Sequence, residues 1–132
     1  MKVLALDYGA ARTGVAVSDP TGTIARPLGV VERAATQGGL ARVAELVASE
    51  DVERVVVGLP LTLRGERGAQ ADETERFVEA LQGLVAVPVE TFDERFTTRL
   101  AEQGAASDAP EDARAAAHLL SSYLLWSTAR AR

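Results

Sequence analysis

The sequence predicts an α/β fold: a mixed five-stranded sheet, its first three strands antiparallel, with helices on both faces. Three observations lead there. Apolar runs at 2–7, 13–18 and 23–32 follow one another across short turn-like segments, the pattern of antiparallel strands joined by hairpins. From residue 36 onward helical and strand periodicities alternate, which adds parallel strands through crossover helices. A last stretch rich in Ala and Leu, 111–129, has the length and spacing of a closing helix.

Taken in order, residues 2–7 (KVLALD) and 13–18 (TGVAVS) flank Tyr8-Gly9-Ala10-Ala11-Arg12, a segment suited to a hairpin turn. Asp19-Pro20-Thr21-Gly22 is the next turn signal, and the third strand at 23–32 carries Pro27, which belongs at an edge or a bulge. Between 36 and 50, Leu40, Val43, Ala44, Leu46 and Val47 recur at helical spacing. Residues 55–60 (VVVGLP) form a continuous apolar run, as expected of a strand covered on both faces. The polar segment 61–70 precedes a second helix at 71–83, with Phe77, Val78 and Leu81 inward. A fifth strand at 85–92 delivers Asp93-Glu94-Arg95, followed by a short helix at 98–103, a small-residue loop at 104–110 and the closing helix. No internal repeat is visible, and residues 1–132 read as one domain.

Composition then limits the chemistry. With 47% hydrophobic and 25% charged residues, the chain has globular composition. It contains no cysteine and one histidine, which excludes thiolate metal sites and argues against histidine-based ones. His118 reads as packing or surface. Any metal must be held by oxygen, which points to Mg²⁺ or Mn²⁺. No stretch approaches the roughly 20 apolar residues of a membrane span, and a cytoplasmic protein is expected. The net charge of −5 argues against a polybasic binder, so contact with nucleic acid must be local and metal-assisted.

Ligands of open α/β sheets bind outside the carboxyl ends of the parallel strands, so acids at strand ends are the informative ones. Asp7 shares a strand face with Val3 and Ala5 and ends an apolar strand, where its carboxylate needs a cation or several donors. An Asx turn is the competing reading. One of Asp93 and Glu94 should face the same site, because successive strand residues point to opposite faces; a solvated ion pair with Arg95 is the alternative. Asp112 opens the closing helix on one face with Ala115, Ala116, Leu119 and Tyr123. The alanines would let the helix approach the sheet and carry Asp112 toward Asp7, although an acid there also complements the helix dipole.

Three such carboxylates suit two divalent ions roughly 3.5–4 Å apart, which activate water and stabilise a leaving oxygen in phosphodiester hydrolysis. The loop from Gly58 to Arg67 offers backbone N–H groups with Arg64 and Arg67 for orienting phosphates. Arg12, Arg95 and Arg99 extend that contact line, and Thr97 and Thr98 could bind phosphate or cap a helix.

Four ordered segments, LALDYGAARTGVAVSD at 4–19, VVVGLPLTLRGERG at 55–68, TFDERFTT at 91–98 and the D-x-x-A-A-x-x-L-L-x-x-Y-L pattern from Asp112, resemble the YqgF (RuvX) family, whose members are described as pre-16S rRNA nucleases and as Holliday junction resolvases. The resemblance spans nearly the whole chain. It implies an RNase H-like fold and a metal-dependent nuclease, with Asp7, Glu94 or its neighbour Asp93, and Asp112 as the catalytic set. It also implies a cellular task, trimming the 5′ end of the small-subunit rRNA precursor. Two departures remove positive charge beside the site: Ala11 precedes Arg12 where the family commonly has a second basic residue, and Ser107-Asp108-Ala109-Pro110-Glu111 replaces basic residues ahead of the last acid.

Rival readings stay open at this point. Asp7-Tyr8-Gly9 also resembles the first phosphate loop of actin-like and sugar-kinase-like ATP-binding proteins, which close two related domains around the nucleotide. A non-catalytic nucleic-acid-binding protein with the same fold is the other. RNA, single-stranded DNA and branched junctions all remain as substrates, and a junction resolvase would need a homodimer rather than a monomer.

Overall fold

The computed structural model describes residues 1–61, 67–94 and 109–130. Five strands, β1 (Val3–Asp7), β2 (Arg12–Ser18), β3 (Ala25–Glu32), β4 (Arg54–Leu59) and β5 (Val89–Asp93), form one sheet in the order β3-β2-β1-β4-β5. β1, β2 and β3 pair antiparallel; β4 pairs parallel with β1, and β5 with β4. The helices are α1 (Gln37–Ser49), α2 (Ala69–Gln82) and α3 (Glu111–Arg130). The predicted helix at 98–103 lies outside the described residues.

Side-chain alternation along the strands divides the core into two layers. Leu4, Leu6, Val15, Val17, Val55 and Val57 face α1 and α2, where they meet Val43, Val47, Phe77, Val78 and Leu81. Val3, Ala5, Ala16, Val56 and Phe92 face α3, meeting Ala116, Leu119, Leu120 and Tyr123. β1 and β4 are therefore buried on both faces, and each fully buried Leu or Val there contributes about 1.5–3 kcal/mol relative to exposure. Among the described residues no helix is long and apolar enough to cross a membrane.

Local chemistry sets the boundaries. The Thr36 side chain accepts from the Gly39 N–H at 3.1 Å and starts α1. Asp19 accepts the N–H groups of Thr23 at 2.8 Å and Ile24 at 2.9 Å, which closes the β2–β3 turn. These bonds, the Ile24 N–H foremost, and the Thr21 hydroxyl hold its carboxyl well below the usual carboxylate range. Pro27 lies on the edge strand at a register irregularity, where Val15 pairs with Gly29 and Ala16 with Pro27, as its missing N–H requires.

Three expectations need correction. β5 begins at Val89 rather than 85, because the N–H groups of Leu84 and Val85 turn back onto the Leu81 carbonyl at the end of α2 and Pro88 has no N–H to donate. α2 begins two residues earlier than 71. Ala115 is exposed rather than on the sheet-facing side of α3; Ala113, Ala116 and Ala117 are buried there.

α3 is fastened at two places. Toward its C-terminal half, the Tyr123 hydroxyl donates to Glu90 at 2.5 Å and receives an N–H from Arg54 at 3.1 Å, tying the helix to β5 and β4. At its N-terminal end the helix backbone rests on Gly14 of β2: a Cβ there would lie 1.8 Å from the Asp112 carbonyl oxygen. Because the obstacle is backbone, it cannot rotate away. Gly14→Ala should therefore destabilise the protein by about 3 kcal/mol, the upper end for overpacked sites. Urea denaturation checks this, and a midpoint equal to that of the wild type would contradict the close approach of α3.

Candidate metal and nucleic-acid site

Asp7 closes β1 on the α3 face, after Val3 and Ala5, where the strand emerges from the apolar layer. Its antiparallel partner is Gly14. On the other side Gly58 follows Val57, the parallel partner of Leu6. Asp7 thus ends the central strand with a glycine on each neighbouring strand, and each glycine leaves room for one further acid. A Cβ at Gly58 would sit 2.6 Å from Glu94 Oε1 and 3.0 Å from Leu119 Cδ2, so the Glu94 side chain lies across that glycine. Gly14 admits the first turn of α3, which carries Asp112.

The structure brings Asp7 and Glu94 into direct hydrogen-bond contact, with the charge of Asp112 within reach of Asp7. Two carboxyl groups so placed cannot both stay ionised without a cation. Burial is the first cause that pushes the Glu94 carboxyl up to about 7, followed by the charge of Asp7, their shared hydrogen bond and the charge of Asp93. Asp7 is also pushed up, chiefly by burial, against the opposing effect of the Glu94 bond. Asp93 pairs in register with Leu59 at the end of β5. By strand alternation it faces away from Asp7 and acts on Glu94 through its charge.

Asp112 forms an ion pair with Arg12, Oδ2 to Nε at 3.3 Å. Arg12 opens β2 and is well exposed, and among the described residues it is the predicted phosphate-binding residue placed at the acids. Arg67 is engaged elsewhere: its guanidinium donates to Glu75, Nη1 to Oε1 at 2.6 Å, and to Asp72 at 3.4 Å, both on α2. Arg64, Arg95, Thr97, Thr98 and Arg99 lie outside the described residues. Tyr8, beside Asp7 in sequence, turns to the opposite face, stacks on Phe77 with ring centres 4.7 Å apart and donates to Glu73 at 3.0 Å. Burial and the Glu73 carboxylate push its phenol up to about 12.

The donor set fits a hard divalent ion. All the ligands on offer are carboxylate oxygens, and two of them carry negative charge that a shared proton relieves in the cation's place. Among the described residues no group of three or more His, Cys, Asp or Glu side chains is gathered so that it could hold a metal ion. Mg²⁺ in particular is bound by one or two carboxylates plus water and substrate phosphate rather than by an all-protein cage. Gly14 and Gly58 are the positions that the sequence reading missed. Their signal was a glycine inside each apolar strand, which marks close approach of a ligand or another backbone.

Comparison with known proteins adds relationship to this geometry. A sequence profile of the RuvX family, described as Holliday junction resolvase, matches residues 1–125. A "Putative pre-16S rRNA nuclease" of Chloroflexus aggregans is 50% identical over 76% of this chain and 71% of its own length. A protein of the same name from Chloroflexus aurantiacus is 48% identical over 76% of this chain and 66% of its own length. One from an Anaeromyxobacter species is 41% identical over 94% of this chain and 96% of its own. Among solved structures, Thermus thermophilus RuvC in complex with a Holliday junction substrate superposes with a TM-score of 0.72 at 18% identity, covering 98% of this chain and 96% of RuvC. That likeness makes the fold RNase H-like. With a profile match over residues 1–125 and relatives at up to 50% identity, the chain belongs to the RuvX family.

Proposed function

We propose that this protein is a divalent-metal-dependent nuclease that hydrolyses phosphodiester bonds, acting in 5′-end processing of pre-16S rRNA. The observation that carries the reading is the hydrogen-bonded pair of half-buried carboxyls of Asp7 and Glu94, with Asp112 beside them, at the carboxyl end of the parallel strands. The names of the relatives supply the rRNA substrate.

Asp7 and Glu94 would hold Mg²⁺ or Mn²⁺ between them, with Asp112 completing the ligand set from α3. When bound, such an ion lowers the pKa of water and stabilises charge on phosphate oxygens. Glu94 must release its proton for this; burial raises its pKa to about 7, so the cation has to displace a proton that an ordinary carboxylate would already have lost at neutrality. Gly58 lets Glu94 lie against the sheet, while Gly14 sets the height of Asp112 above it. Arg12, exposed beside Asp112, is placed to orient a phosphate. A second reading, resolution of Holliday junctions, is favoured by the description of the family; it requires two such sites in a symmetric dimer.

Asp7→Asn, Glu94→Gln and Asp112→Asn should each lower Mn²⁺-dependent cleavage by at least about 100-fold without unfolding the protein, since each removes ligand charge at nearly constant size. Cleavage of matched RNA, single-stranded DNA and four-way junctions, read beside solution mass, checks the reaction and separates the two substrates. Undiminished cleavage by Asp7→Asn would refute the site. Gly58→Ala should cost less stability than Gly14→Ala, because Glu94 can swing aside and Leu119 need yield only a few tenths of an ångström, yet cut activity by about tenfold or more through displaced geometry. Wild-type turnover in that variant would show that Glu94 need not lie across Gly58.

The same pair gives a pH signature in metal-free protein. Glu94 rises from an ordinary value of 4.5 to about 7 on folding, so the folded state holds the proton more tightly than the unfolded chain. Its contribution is complete below about pH 4.5 and lost as pH rises toward 7. With chelator present, the melting temperature of the wild type should fall between pH 5 and 7.5 relative to that of Glu94→Gln. Parallel profiles for the two proteins would contradict the shared proton.

A further inference from the structure

The ion pair between Arg12 and Asp112 places a permanent positive charge on one of the three acids assigned to the metal. Its backbone is fixed. Thr13 is fully buried and exchanges two hydrogen bonds with Gly9, at 3.4 and 3.3 Å, while the Ala11 carbonyl accepts from the Arg33 N–H at 3.0 Å. The side chain by contrast is 66% exposed, and its Nε lies 3.3 Å from Oδ2 of an Asp112 side chain that is itself 39% exposed. A buried pair would be hard to part; a pair exposed on both sides is weak and exchangeable. A divalent ion competes for the same carboxylate and repels the guanidinium.

We propose that Arg12 is an exchangeable counter-ion of the site: it neutralises Asp112 while no cation is bound and moves onto a phosphate of the nucleic acid when a divalent ion takes Asp112. The inference rests on the metal reading given above and adds an order of events to it. The same arginine then has opposite effects on the two ligands. It weakens metal binding in the free protein and strengthens substrate binding in the loaded one, so metal and nucleic acid bind cooperatively.

Mn²⁺ binding to the full chain, read from the electron paramagnetic resonance signal of free Mn²⁺, tests the exchange without reference to activity. Arg12→Gln should bind Mn²⁺ about three- to tenfold more tightly than wild type, and Arg12→Lys within about twofold of it. In Ca²⁺, the affinity of Arg12→Gln for a labelled single-stranded RNA should fall by about three- to tenfold. Asp7→Asn serves as the control for the site. If wild type binds Mn²⁺ in an Asp7-dependent way and Arg12→Gln binds it equally or more weakly, the exchange is overturned while the metal site stands. If Asp7→Asn binds Mn²⁺ as well as wild type, the metal reading itself fails and the exchange goes with it.

Discussion

The close approach of α3 to the sheet is the constraint on which the rest depends. The helix backbone lies so near β2 that only hydrogen fits at Gly14. That contact fixes where the first turn of the helix begins, and so where Asp112 stands relative to Asp7. The Tyr123, Glu90 and Arg54 cluster fixes the helix further along its length. A helix fastened at two places on a doubly buried sheet cannot tilt freely, and the position of one carboxylate follows from packing that is otherwise apolar.

Electrostatic strain gathers at the point where that packing ends. Val3 and Ala5 are buried, and Asp7, next on the same face, is half-buried beside two more acids. The protein tolerates this arrangement by two separate devices: a proton held between Asp7 and Glu94, and the Arg12 guanidinium on Asp112. Both occupy places that a divalent cation would fill with more charge. Half-buried acids held against one another are costly to keep in a structural role, since apolar residues of like size would do better. Their position at the ends of two strands and a helix start is what a binding site would require.

Much of this was legible in the sequence, and the failures have physical causes. Apolar runs located β1, β2 and β4 because strands buried on a face must be apolar there, and Pro27 marked the edge strand and its irregularity. Period-2 alternation limited Asp93 and Glu94 to one candidate without choosing between them. The choice came from Gly58, whose missing side chain makes room for Glu94, and no local pattern couples residues 58 and 94. The start of β5 was misplaced because 85–88 is as apolar as a strand, while the end of α2 claims the Val85 N–H and Pro88 has none to give. Arg67 looked available for phosphate; its partners Asp72 and Glu75 lie on the next helix, and a surface arginine near acids pairs with them first.

Ala115 shows the limit of helical phase as an argument. Both Ala115 and Ala116 are compatible with a face running from Asp112 to Tyr123, yet only Ala116 is buried. Small residues hide this error, because an exposed alanine costs nothing and leaves no trace in the pattern. The helix nevertheless lies close to the sheet, since Ala113, Ala116 and Ala117 supply the flat side and Gly14 receives it. Small residues on both partners are what permit a carboxylate borne on a helix to reach one borne on a strand. The spacing between these acids is thus set by the absence of side chains at positions 14 and 58 as much as by the acids themselves.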